Sequence, residues 1–167
     1  GLCACSEKKE PIIVRNPHST RPFQHVLEPL FLYLTVAKAQ WENAELAACY
    51  NVGPDDCDCV NTGRLADLFC ETWGGGMHWI NRYDGGPHEA NFLKLDCSKV
   101  KKVFGWKPHF HVEEAMAATV EWSKKWLAGA DMRQVTDEQI RAYAARFEEK
   151  QIDAGGCTKD VSGSRQS

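Results

Sequence analysis

Arg15, His18, Arg21, Gln24 and His25 fall within eleven residues, in the stretch VRNPHSTRPFQHVLEPL that leads into the apolar run LFLYLTVA. Forming a helix does not require them. A guanidinium presents a planar, permanently charged fork that matches the oxygens of a phosphate. Arg21, with Arg15 and His18 in the same loop, is therefore a candidate anion-holding group; the alternative is a solvated loop. Glu28 suits the positive end of the helix that follows, so helix stabilisation accounts for it. His25 is expected to cap or pack at the helix start, and Gln24 has no assigned task.

Other groups of ligand-bearing residues are weaker. The eight cysteines include two CxC pairs, Cys3/Cys5 and Cys57/Cys59, and zinc sites favour CxxC or HxxxH spacing. No metal is expected. His109 and His111 would share a side of an extended stretch. Two such histidines could chelate a metal, but solvated loop histidines are the commoner case. Cys70 and Cys97 read as small buried hydrophobes, and the cysteines as reduced thiols of a cytoplasmic protein.

The elements that must position these residues follow from pattern. PIIV at 11–14 is β-branched and reads as a short strand, and 15–22 as a loop. A helix spans about His25 to Trp41, with Pro29 in its first turn, where the missing N–H costs little. Its apolar residues cover most faces, so it expects burial on most sides. The run at 48–53 reads as a buried strand, 60–73 as an amphipathic helix and MHWI at 77–80 as a strand. Residues 91–95 read as a further strand, 98–104 as a short helix, and 113–127 as a long helix with Ala115, Thr119, Trp122 and Trp126 at helical spacing. Thr136–Gln139 has capping-box form and opens a helix to about 150. Residues 1–10 and the polar, Gly/Ser-rich 151–167 are expected to be disordered.

The chain has 167 residues, 43% hydrophobic, with a formal net charge of -3. That is material for one packed domain. No basic stripe points to nucleic acid, and no apolar run is long enough to span a membrane. The chain opens on Gly1, and GLCACSEKKE lacks the order of a signal peptide; it is expected to begin inside something longer.

RPFQHVLEPL, YNVGP, HEANFLKLDCSKVKKVFGWKP and VEEAMAATVEWSKKW occur in this order, across residues 11–145. Together they resemble the C-terminal portion of an extended short-chain dehydrogenase/reductase, in the nucleotide-sugar epimerase/dehydratase branch and nearest its sugar 4,6-dehydratases. The resemblance implies an α/β protein (α+β as a fragment). Residues 11–150 would be the substrate-binding portion, plus one helix and one strand of a missing Rossmann domain. Arg21 would contact the diphosphate of a nucleotide-diphosphate sugar. Asn51 would hold the pocket or fix its own turn, and His88 and Glu89 would belong to the loop that closes over the nucleotide. Relatives carry an arginine just before that loop where this chain has Gly86, so His88 or Lys94 would stand in as the cation. Arg15 would add charge.

The family binds NAD on a Gly-rich strand-to-helix turn and moves protons with a Tyr-x-x-x-Lys pair. Here Tyr33, Tyr50, Tyr83 and Tyr143 are followed four residues on by Ala37, Pro54, Pro87 and Phe147. No catalytic residue is assigned. NAD, a catalytic group regenerated each cycle in the family, is expected to bind the missing N-terminal domain and not this chain alone. A non-catalytic nucleotide-sugar binding or interaction module, and a fragment of another nucleotide-sugar epimerase/dehydratase, are the rival readings; a homo-oligomer is among the partners considered.

Overall fold

The computed structural model describes residues 10–82 and 92–155, with side chains to 147. Strand β1 (Ile12–Val14) pairs in parallel with β2 (Trp79–Asn81), Ile12 opposite Trp79 and Val14 opposite Asn81. The helices are α1 (Leu27–Glu42), α2 (Thr62–Trp73), α3 (Ser98–Phe104), α4 (Val112–Leu127) and α5 (Met132–Gly155), with 3-10 turns at Ala44–Leu46 and Asp56–Asp58. The mixture of helices with a small parallel sheet agrees with the α/β expectation. No described helix is long and apolar enough to cross a membrane.

One core forms where β1, α2 and α4 meet: Ile12 and Val14, Ala66, Leu68 and Phe69, and Val112, Met116 and Val120. Alternation in β1 sends Ile12 and Val14 inward and Ile13 outward. In α4 the buried stripe is Val112, Met116, Val120 and Ser123. The expected stripe of Ala115, Thr119, Trp122 and Trp126 has the right period and the wrong phase: Trp126 is 51% exposed, and the Trp122 indole donates to Thr136 Oγ1 at 3.1 Å. The small Ser123 can sit inward because its hydroxyl bonds back to Thr119 O.

A second core joins Leu32 of α1 to Cys97, Val100 and Trp106, with Tyr50 and Val52 against it. Trp106 and Cys97 are buried, as expected. Residues 48–53 are not a strand, and 91–95 is reduced to a single bridge at Phe92 among the described residues. A strand needs a neighbour for its ladder. Among the described residues no segment forms a ladder with 48–53; instead Tyr50 and Val52 turn toward the core while Cys49 and Asn51 face out.

Helix ends follow local chemistry. Gly105, at φ 64°, closes α3 as expected. Gly129, at φ 73°, closes α4 in a Schellman arrangement, its N–H bonded to Trp126 O and that of Ala130 to Lys125 O. Helix α5 opens at Met132, not Thr136: Asp131 Oδ1 takes the Arg133 N–H at 3.0 Å. Thr136 and Gln139 serve tertiary contacts instead, Gln139 Nε2 donating to Ala118 O. α5 also runs to Gly155, into the segment expected to be disordered. Residues 1–9 and 156–167 lie outside the described residues.

On α1 only Leu27, Glu28 and Leu32 are buried. Leu30, Tyr33, Leu34 and Trp41 are 46%, 60%, 69% and 92% exposed. The face expected to need a cover is open, except that Phe31 packs on Tyr143 and Phe147 of α5.

Candidate functional site

The loop that carries Arg21 is held by the start of α2. Ser19 O accepts from both Thr62 N and Thr62 Oγ1 at 3.0 Å, and Pro17 O accepts from Gly63 N at 2.8 Å. Gly63 allows that approach: a Cβ there would meet Pro17 O at 3.2 Å. Asn61 takes the next two amides, its Oδ1 from Arg64 N at 2.7 Å and its carbonyl from Leu65 N. A free helix N-terminus would be an anion site. This one has every first-turn N–H bonded within the protein, so it offers no amide to an anion.

Thr20 pairs with Asn61 on one side and, in parallel sense, with Phe92 on the other; Leu93 N donates to Thr20 O at 3.1 Å. Arg21 N bonds to Val60 O, and its Nη1 bonds to Thr20 O. The strip 92–96 thereby gathers three of the expected residues. Arg21 lies beside its start. Lys94 Nζ sits 3.2 Å from Asp56 Oδ1 and over the Phe92 ring. Asn51 Nδ2 donates to Asp96 O at 3.1 Å, pinning the far end. Lys94 is thus already matched by a carboxylate, although an exposed pair of this kind contributes only ~0–1 kcal/mol. Arg15 is exposed at the end of β1, where Arg82 N bonds to Val14 O. His88 and Glu89 lie outside the described residues. A cleft of about 310 Å³ adjoins the loop, lined among others by Gln24, His25, Trp122 and Gln139, with no lysine or arginine in its wall.

Glu28 is the residue that sequence reasoning undervalued. Its side chain is buried, and one oxygen accepts from both His109 N at 2.8 Å and Phe110 N at 2.7 Å. The carboxylate therefore joins the first turn of α1 to the chain entering α4. Burial, then the Glu28 carboxylate, push the Tyr143 phenol far above its ordinary range. That is opposite to a catalytic tyrosine, which a lysine would lower. His109 and His111 do not share a side: the His109 ring tilts onto Phe147 and Tyr143, while His111 Nδ1 faces Asp58 Oδ2 at 3.0 Å. Cys57, Cys59, Cys70 and Cys97 are all held above the usual thiol range, Cys57 by the adjacent Asp58 and the others chiefly by burial. None has the lowered pKa of a nucleophilic cysteine.

His25 is buried, edge-on to Phe110, and its Nδ1 accepts from Leu27 N at 3.3 Å. Burial lowers its pKa. Below its unfolded value of about 6.5 the unfolded chain binds the proton more readily, so this contribution is full above that pH and declines below it. Protonation at Nδ1 would also set two donors face to face. We expect the urea midpoint to fall more between pH 7.5 and 5.5 in wild type than in His25→Asn, which keeps an acceptor without the titration. Equal falls would remove His25 from the pH response.

The three-glycine run does not form the strand-to-helix turn on which the family binds NAD. Gly74, Gly75 and Gly76 have positive φ, but they follow the C-terminus of α2, whose dipole end is negative and repels a pyrophosphate. A Cβ at any of the three would meet nothing within 4 Å, so they form no close cradle.

No family model matches the chain. Comparison with known proteins nevertheless defines its class: the chain is related to the short-chain dehydrogenase/reductases that its motifs resemble. One relative is the CDP-glucose 4,6-dehydratase of Salmonella typhimurium strain LT2, 38% identical over 138 residues, which are 82% of this chain. The chain spans 38% of that enzyme's length.

Proposed function

We propose that this chain is the nucleotide-sugar recognition part of a CDP-glucose 4,6-dehydratase, the enzyme class that forms CDP-4-keto-6-deoxyglucose, and that it does no chemistry alone. The observation that carries the reading is the 38% identity over 138 residues. Arg21 grips the diphosphate, with its backbone held by Val60 and its neighbour Thr20 by Leu93. Lys94 and Arg15 add positive charge at the two ends of the loop. Asn51 sets the strip that follows Lys94. His88 and Glu89 are assigned to the nucleotide-binding loop by the same resemblance. NAD and the proton-transferring residues belong to a part of the enzyme outside these 167 residues, and the assembled enzyme works in the cytoplasm.

Purified chain given CDP-glucose and NAD should form no 4-keto sugar above a buffer blank. Turnover by the chain alone would overturn the reading that it does no chemistry by itself.

The open face of α1 supports a covering half. Apolar patches of this kind mark interaction surfaces. The same face in a second copy would compete for it, so the isolated chain should associate as its concentration rises, and Leu34→Glu should suppress this. Sedimentation showing a monomer at all concentrations in wild type would count against a missing cover.

A further inference from the structure

Three metal-ligand side chains converge where the 3-10 turn Asp56–Asp58 meets the start of α4. Cys57 Sγ lies 3.5 Å from Asp58 Oδ2, and His111 Nδ1 lies 3.0 Å from the same oxygen. All three donor atoms fall within 4.8 Å of one another. We propose that Cys57, Asp58 and His111 bind a divalent transition-metal ion of the zinc type and so clasp the turn before α2 to the N-terminus of α4.

The spacing suits tetrahedral coordination. Bonds of about 2.3 Å to sulfur and about 2.0–2.2 Å to nitrogen and oxygen put neighbouring donors roughly 3.3–3.6 Å apart. The two separations centred on Asp58 stand within a few tenths of an ångström of that. Thiolate and imidazole together select zinc, cobalt, nickel or copper over magnesium and calcium, which take oxygen.

Each ligand is held from behind. Asp58 is 5% exposed, and its Oδ1 accepts from Val112 N at 2.9 Å, which leaves Oδ2 turned to the cluster. Such an outer hydrogen bond is what orients a ligating carboxylate. His111 is the N-cap residue of α4, its own N–H bonded to Glu114 Oε2 at 3.0 Å. Cys57 is the middle residue of the 3-10 turn. Cys57 and His111 are exposed, so ions reach the site from solvent and water completes the coordination. The CxC pair pointed to no metal because its partner, His111, stands 54 residues further on.

The test is a titration of the full chain, stripped with chelator and kept reduced, with Zn2+ against a chromophoric competitor. Cys3→Ser/Cys5→Ser serves as the common background, so that the other CxC pair does not contribute. One Zn2+ should bind per chain and raise the melting temperature, while Mg2+ does neither. Cys57→Ser and His111→Ala should each weaken binding by about tenfold or more. Both residues are exposed, so both variants should keep the wild-type circular dichroism. Asp58→Asn is avoided because Asp58 also caps Val112. In Co2+-loaded protein the thiolate charge-transfer band should vanish with Cys57→Ser and persist with Cys49→Ser. No uptake by the background chain, wild-type affinity in either ligand variant, or equal loss with Cys49→Ser would overturn the site.

Discussion

Glu28→Ala should cost the chain about 3–6 kcal/mol, because two half-buried N–H groups lose a charged acceptor at about 1.5–3 kcal/mol each. The donors are His109 and Phe110, 81 and 82 residues further along. A loss of that size is a large share of the roughly 5–15 kcal/mol that holds a domain folded. Glu28→Gln keeps an oxygen acceptor and gives up the charge, so it should cost about half as much. Urea unfolding followed by tryptophan fluorescence reads both, with the slope unchanged if only stability moves. An alanine variant within about 1 kcal/mol of wild type would mean that Glu28 is not the joint between α1 and α4; ordinary surface substitutions fall within about 0.5 kcal/mol.

Arg21→Ala should weaken CDP-glucose binding roughly 10- to 150-fold, the equivalent of one charge-assisted contact of about 1.5–3 kcal/mol. The measurement belongs in a full-length protein that joins this chain to an NAD-binding half, where the pocket is complete. NAD affinity should barely change. Arg15→Ala should do less, since Arg15 lies at the end of β1, away from the strip that gathers Thr20, Lys94 and Asn51. One side-chain bond of Arg21 goes to the carbonyl of its own neighbour, Thr20, and circular dichroism of the variant checks that the fold is kept. Equal CDP-glucose affinity by calorimetry would reduce Arg21 to a loop residue.

What could be read from the sequence was local or carried by long motifs. Ser98–Phe104 and its stop at Gly105 need only helix formers and a residue tolerant of left-handed φ. β1 and α1 announce themselves by β-branched and apolar runs, with boundaries within two residues of those expected. Motifs spread over most of the chain sufficed for the relationship to the dehydratase, and the absence of Tyr-x-x-x-Lys is plain in the residue order.

What only the tertiary structure decided depends on partners far away in the chain. Residues 48–53 have the composition of a strand, but a ladder requires a neighbour at the right distance. The stripe of α4 has a period visible in sequence, while its phase is set by what α2 and β1 present to it. Thr136–Gln139 has the form of a cap, yet Asp131 begins the helix earlier and leaves Thr136 and Gln139 to bond α4. Glu28 looked like a charge at a helix end, and His111 like a solvated histidine. Their partners stand 53 to 82 residues away. Local propensity acts over a few residues, whereas burial and hydrogen-bond pairing are settled only when distant segments meet.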